Sequence, residues 1–144
     1  MADKVYSWGR GIVSVFAGIG SYVYGRLDGL LIALFVCIVI DYATGLIKGA
    51  ILKKLSSEIG FKGILKKMLI LLVVALAHLI DNCVGSGETW RNIAIVFYIC
   101  NEGLSILENC VMCGLPVPEK MKDILLNMTH TTDEKGVVDN GNTD

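Results

Sequence analysis

Two long apolar runs joined by a short basic stretch constrain this chain more than any other feature. The first, LLIALFVCIVIDYATGLI (30–47), carries one charge, Asp41. The second, MLILLVVALAHLI (68–80), carries none. Between Ile47 and Met68 lie six lysines (Lys48, Lys53, Lys54, Lys62, Lys66 and Lys67) against one glutamate, Glu58. Apolar runs near span length with a basic connection predict two transmembrane helices and a cytoplasmic turn. The whole chain has 144 residues, 53% of them hydrophobic. That length allows one small domain. In lipid its backbone must be satisfied within each segment, and no series of alternating strands is present to close a barrel, so the expected class is an all-α integral membrane protein.

Three spans are expected, at about 30–47, 64–80 and 91–113. Lys66 and Lys67 can snorkel to the headgroups at the start of the second, and Ser56 or Ser57 can cap the helix leading into it. Arg26-Leu27-Asp28-Gly29 reads as a turn before the first span. The polar segment DNCVGSGET (81–89) turns the chain on the other side. The third span begins at Trp90-Arg91, and Gly114, Pro116 and Pro118 end it. An N-terminal hydrophobic helix is expected over 5–25. Its uncharged part, between Arg10 and Arg26, extends only about 22 Å as a helix, so it either lies in the interface or crosses as a fourth span. Gly11, Ser14, Gly18, Ser21 and Gly25 step by three and four along it, a small-residue stripe suited to close helix packing. Met121, Ile124, Leu125 and Met128 mark a short amphipathic helix over 118–128. The membrane domain thus covers 1–128, and the polar residues 129–144 read as a disordered tail.

The charge bias orients the chain. The six-lysine loop at 48–65 and its flank should face the cytoplasm, with the acidic 81–90 turn outside and the C-terminus returned to the cytoplasm. The polar residues within the spans are few and ordered. In the third span, Asn101, Glu102, Ser105, Glu108 and Asn109 share one helical face. A carboxylate at mid-span must face protein or water, because lipid exposure costs at least a few kcal/mol. The face is therefore either a hydrogen-bonding seam within the bundle, a stripe that lines water after assembly, or a proton relay. Asp41, Thr44 and Lys48 form a weaker stripe on the first span. His78 and Asp81, one turn apart, either couple a protonation event or make a plain interfacial contact.

Chemistry of other kinds has little footing. The basic loop holds one aromatic, Phe61, which argues against nucleic-acid binding. Five cysteines lie largely in or beside apolar runs, unlike a secreted disulfide framework. Cys110-Val-Met-Cys113 has no second pair, so no metal is expected. No phosphate loop, nucleophile elbow or HExxH motif occurs, and neither catalytic residues nor a cofactor are expected.

IDYATGLIKGAILKKLSSEIGFKGILKK (40–67), ALAHLID (75–81), YICNEGLSILENC (98–110) and GLPVPEK (114–120) together resemble the phage-lysis and clostridial toxin-secretion holin family. The resemblance covers about Asp28 to Lys122. The most specific pieces are Asp41-Tyr-x-Thr-Gly45 and NEGLSILEN followed by GLPVPEK. It implies a small protein of the bacterial cytoplasmic membrane. Copies accumulate, then assemble at a set time into large lesions that release an endolysin; some relatives export large toxins. The implied partners are other copies of the chain and the bilayer, with endolysin or toxin as passing cargo. Two readings compete. One is a small proton-coupled transporter using Glu102 or Asp41, although no internal repeat is visible. The other is a membrane adaptor docking a partner through the 48–65 loop or the C-terminal tail.

Overall fold

The structure, a computed structural model, describes residues 2–137. It is α-helical, with no strand among the described residues. Five helices follow in order: α1 (Ala2–Tyr24), α2 (Gly29–Ile51), α3 (Ser57–Val84), α4 (Thr89–Met112) and α5 (Glu119–Val137). Among the described residues, α2, α3 and α4 are long and apolar enough to cross a membrane. The protein is a multi-pass membrane protein.

Side-chain caps set the helix boundaries. Asp28 accepts from Leu31 N at 2.9 Å and starts α2. Ser56 accepts from Glu58 N at 3.2 Å and starts α3. That cap lies well before the expected span start near residue 64. Helix α3 therefore has 28 residues, about 42 Å, against a hydrocarbon core of about 30 Å. Hydropathy marks only its lipid-facing part; the capped first turns, with the exposed Lys62–Glu58 pair, extend it beyond. The expected 48–65 loop shrinks accordingly to residues 52–56. Lys48 belongs to α2, Lys53 and Lys54 to the turn, and Lys62, Lys66 and Lys67 to α3.

Helix α4 ends in a Schellman arrangement. Gly114, at φ +87°, follows it, Leu115 N donates to Cys110 O, and Gly114 N donates to Val111 O. Helix α5 continues past the expected end at Met128 to Val137. The last residues of the expected tail, 138–144, lie outside the described residues.

The packing centre is α4 rather than the α2–α3 hairpin. It contacts α2, α3 and α5, while α2 and α3 touch only slightly. Leu31, Leu34 and Ile38 from α2, Val74 from α3 and Ile95 from α4 form a dry core. Tyr24, Ile70, Leu71, Ala94, Tyr98 and Ile99 pack around it. Outward-facing Val39, Leu69 and Leu72 are 60–66% exposed. So much large apolar surface on α2 and α3 suits a bilayer rather than water.

Candidate functional site

Two buried ionic centres bracket the apolar core. The first joins the middle of three helices. Asp41 projects from α2, Lys67 from α3, and Glu102 and Asn109 from α4. Lys67 Nζ lies 2.6 Å from Asp41 Oδ2 and also donates to Glu102 Oε2. Asn109 Nδ2 donates to Asp41 Oδ1 and to Thr44 Oγ1, both at 3.2 Å. The Thr44 hydroxyl donates to Asp41 O, one turn back. Asp41, Glu102 and Asn109 are buried, and Lys67 is nearly so, with 16% of its side chain exposed. One ammonium thus serves two carboxylates. Lys67 is therefore the hub, because its loss would leave two buried carboxylates without a counter-charge.

The second centre closes the opposite end. Arg91, at the start of α4, is fully buried. Its Nη1 donates to Asp28 Oδ2 at 2.8 Å, its Nε to Tyr24 O at 2.7 Å, and its Nη2 to Arg26 O at 2.9 Å. The planar guanidinium thereby fixes the whole α1–α2 turn. Its hydrogen bond is the main reason that the Asp28 carboxyl sits below the usual carboxylate range. An arginine at a helix N-terminus opposes the helix dipole. Asp81, at the end of α3, offsets this by accepting from Trp90 N (3.0 Å), Arg91 N (2.8 Å) and the Ser86 hydroxyl (2.6 Å). The residue at the cap position itself, Glu88, makes no side-chain cap bond.

Next to this centre, Gly25 lies beyond the end of α1 at φ +75°, and a Cβ there would stand 2.7 Å from His78 Cε1. Gly25 is therefore the turn residue that admits His78, and it does not continue the small-residue stripe. His78 Nε2 lies 3.1 Å from Asn82 Nδ2 and makes no bond to Asp81; its buried Nδ1 has no partner among the described residues. Along α4 the two centres, Arg91 and Glu102, stand about 16 Å apart with Ile95 and Tyr98 between them.

The expected polar face of α4 divides. Glu102 and Asn109 are buried in the first centre, Ser105 lines a cavity below it, Asn101 is half-buried, and Glu108 is exposed. Of the α2 stripe, Asp41 and Thr44 belong to the centre, whereas Lys48 lines the cavity. Gly11, Ser14, Gly18 and Ser21 are exposed on α1, with nothing among the described residues within 4 Å of a Cβ at Gly11 or Gly18. Sequence reasoning placed Lys67 with the topology-setting lysines and Arg91 at a span boundary, and so missed both hubs. The spacing held a signal: Lys67, Val74, His78 and Asp81 repeat on one face of α3, while Lys66 falls off it and is exposed. Among the described residues no group of three or more His, Cys, Asp or Glu side chains is placed to hold a metal.

Three span-length helices around a dry core with an ionic centre at either end define a small multi-pass membrane protein that keeps charge away from lipid. Comparison with known proteins gives the family. The bacteriophage holin family model matches residues 18–130, and this chain belongs to that family. It is 36% identical over 115 residues to the "Probable holin" of Bacillus phage phi105, covering 80% of this chain and 84% of that one. An uncharacterized protein of Listeria monocytogenes is 48% identical over 112 residues, covering 77% of this chain and 79% of its own. An uncharacterized 14.9 kDa protein from the nagH 3' region of Clostridium perfringens is 46% identical over 122 residues, or 83% and 91% of the two chains. No solved structure matches significantly.

Proposed function

We propose that the protein is a timed membrane-permeabilising holin of the bacterial cytoplasmic membrane. Copies collect in the bilayer with Asp41, Lys67 and Glu102 satisfied inside each three-helix unit. At the trigger, helices exchange these partners for water, and many copies together enclose a lesion. A chain this short cannot enclose a protein-sized hole alone. The lesion releases an endolysin or, in the toxin-exporting variant of this role, a large protein cargo. The α2–α3 turn and the C-terminus face the cytoplasm in this scheme. The exposed stripe Gly11, Ser14, Gly18 and Ser21 supplies lateral contact between copies. No step requires a catalytic residue.

The observation that carries the reading is the Asp41–Lys67–Glu102 centre in a member of this family. Those charges are tolerable within one packed unit and tolerable facing water, but costly against lipid. The centre therefore favours two states, a closed bundle and a hydrated assembly. The test is timed induction in a bacterium holding a cytoplasmic endolysin. Normal growth, then abrupt depolarisation and endolysin-dependent lysis, is the expected course. Slow growth inhibition that ignores the endolysin would refute it, and solute resistance without lysis would point to a transporter.

A further inference from the structure

At the α2–α3 turn, the two arms of the hairpin part and leave a cavity of about 210 Å³. Gly45 and Gly49 wall it from α2, Gly60 and Gly63 from α3, and Ser105 and Asn109 from α4. Asp41 and Lys67 of the buried centre lie at its floor. Lys48 and Lys54 also line it, and neither has an ion-pair partner among the described residues. Lys67 is shared between Asp41 and Glu102, so that centre carries one excess negative charge, and Lys48 and Lys54 together leave the cavity and its floor with a net charge of one positive. Tyr42 and Ser56 add two hydroxyls, and Leu46, Leu55 and Ile59, each 39% exposed or more, give an apolar wall.

We propose that this cavity binds the phosphate-bearing headgroup of an anionic phospholipid from the leaflet at the α2–α3 turn. The inference stands apart from the holin reading and survives if that reading fails. Three observations favour a lipid over a soluble anion. The cavity lies at the ends of two candidate spans. Helix α2, with 23 residues, reaches about 34 Å, so its end at Ile51 falls near the hydrocarbon boundary, where headgroups lie. Basic pockets between helices at that depth are suited to acidic headgroups. The cavity also joins lysines to exposed leucine and isoleucine, which matches a phosphate attached to glycerol and acyl chains, whereas a bare phosphate would meet the lysines and leave the apolar wall uncovered. Finally, α2 and α3 scarcely touch one another directly. An occupant between them completes their packing and covers the floor formed by Asp41 and Lys67.

The test uses the full-length protein in mild detergent, with phosphatidylglycerol added and bound lipid counted by native mass spectrometry. One phosphatidylglycerol should bind more tightly than phosphatidylcholine. A lysine near an anionic headgroup contributes about fivefold, so the double variant Lys48→Gln/Lys54→Gln should weaken binding about thirtyfold. Lys48→Arg/Lys54→Arg should retain it, which separates loss of charge from loss of fold. Lys62→Gln/Lys66→Gln, outside the cavity, should change it less than twofold. Equal weakening by the two glutamine pairs, or none by either, would overturn the site. Inorganic phosphate that binds as tightly as the lipid and displaces it would overturn the lipid assignment.

Discussion

Removing Lys67 should do far more than removing either carboxylate it serves. Lys67→Met deletes the only cation among the described residues within bonding distance of Asp41 and Glu102, whose side chains are 10% and 6% exposed. Two buried carboxylates would then face each other, with Asn109 donating to one of them. Breaking a buried pair by removing one partner costs about 3–5 kcal/mol. In an open assembly the same side chains meet water, where the loss is small. The closed-to-open balance should therefore shift by roughly two orders of magnitude or more. Glu102→Gln instead leaves Lys67 paired one-to-one with Asp41, and its amide still accepts from the ammonium. The assay is lysis time after induction, with membrane protein level matched by immunoblot, alongside thermal unfolding of each variant in mild detergent. Lys67→Met should lyse early or fail to accumulate, with a sharply lowered melting temperature. Glu102→Gln should move lysis time modestly, and Lys67→Met/Asp41→Asn/Glu102→Gln should recover much of the lost stability. Equal effects for Lys67→Met and Glu102→Gln would refute the claim that one cation holds the centre closed.

Three further outcomes are expected. Because Arg91 lowers the Asp28 pKa, that contact stabilises the fold above the ordinary carboxylate pKa and loses its contribution as pH falls through the depressed value; melting curves of the wild type should thus steepen toward acid relative to Asp28→Asn, and parallel curves would exclude the clamp. An impermeant thiol reagent applied outside should label Cys83 and spare Gly136→Cys, and the reverse would invert the proposed orientation. On α1, Gly18→Leu should weaken oligomers and delay lysis, whereas Val13→Leu should do little; crosslinking yields that fall equally would remove the small-residue stripe from assembly.

Much was legible along the chain because membrane helices write themselves in local terms. Apolar length marked three spans, Gly114 with its prolines marked the end of α4, and Ser56 or Ser57 marked a cap, which the structure gives to Ser56. Mid-span Glu102 and Asp41 stood out because a bilayer makes any carboxylate conspicuous. Partner choice was not legible. Lys67 and Arg91 sit next to headgroup-level positions, where a snorkelling lysine and a boundary arginine are ordinary, and hydropathy cannot tell a cation that turns outward from one that turns in. That choice depends on which face of α3 meets α4, and so on how the helices rotate about their axes. Gly25 is similar: spacing alone placed it on a stripe, while the close approach of His78 makes it the turn residue. The spans were fixed by local composition against a bilayer of set thickness. The pairing of Lys67 with Asp41 and Glu102, and of Arg91 with Asp28, came from residues tens of positions apart, which only the packing of α4 between its neighbours brings within hydrogen-bonding reach.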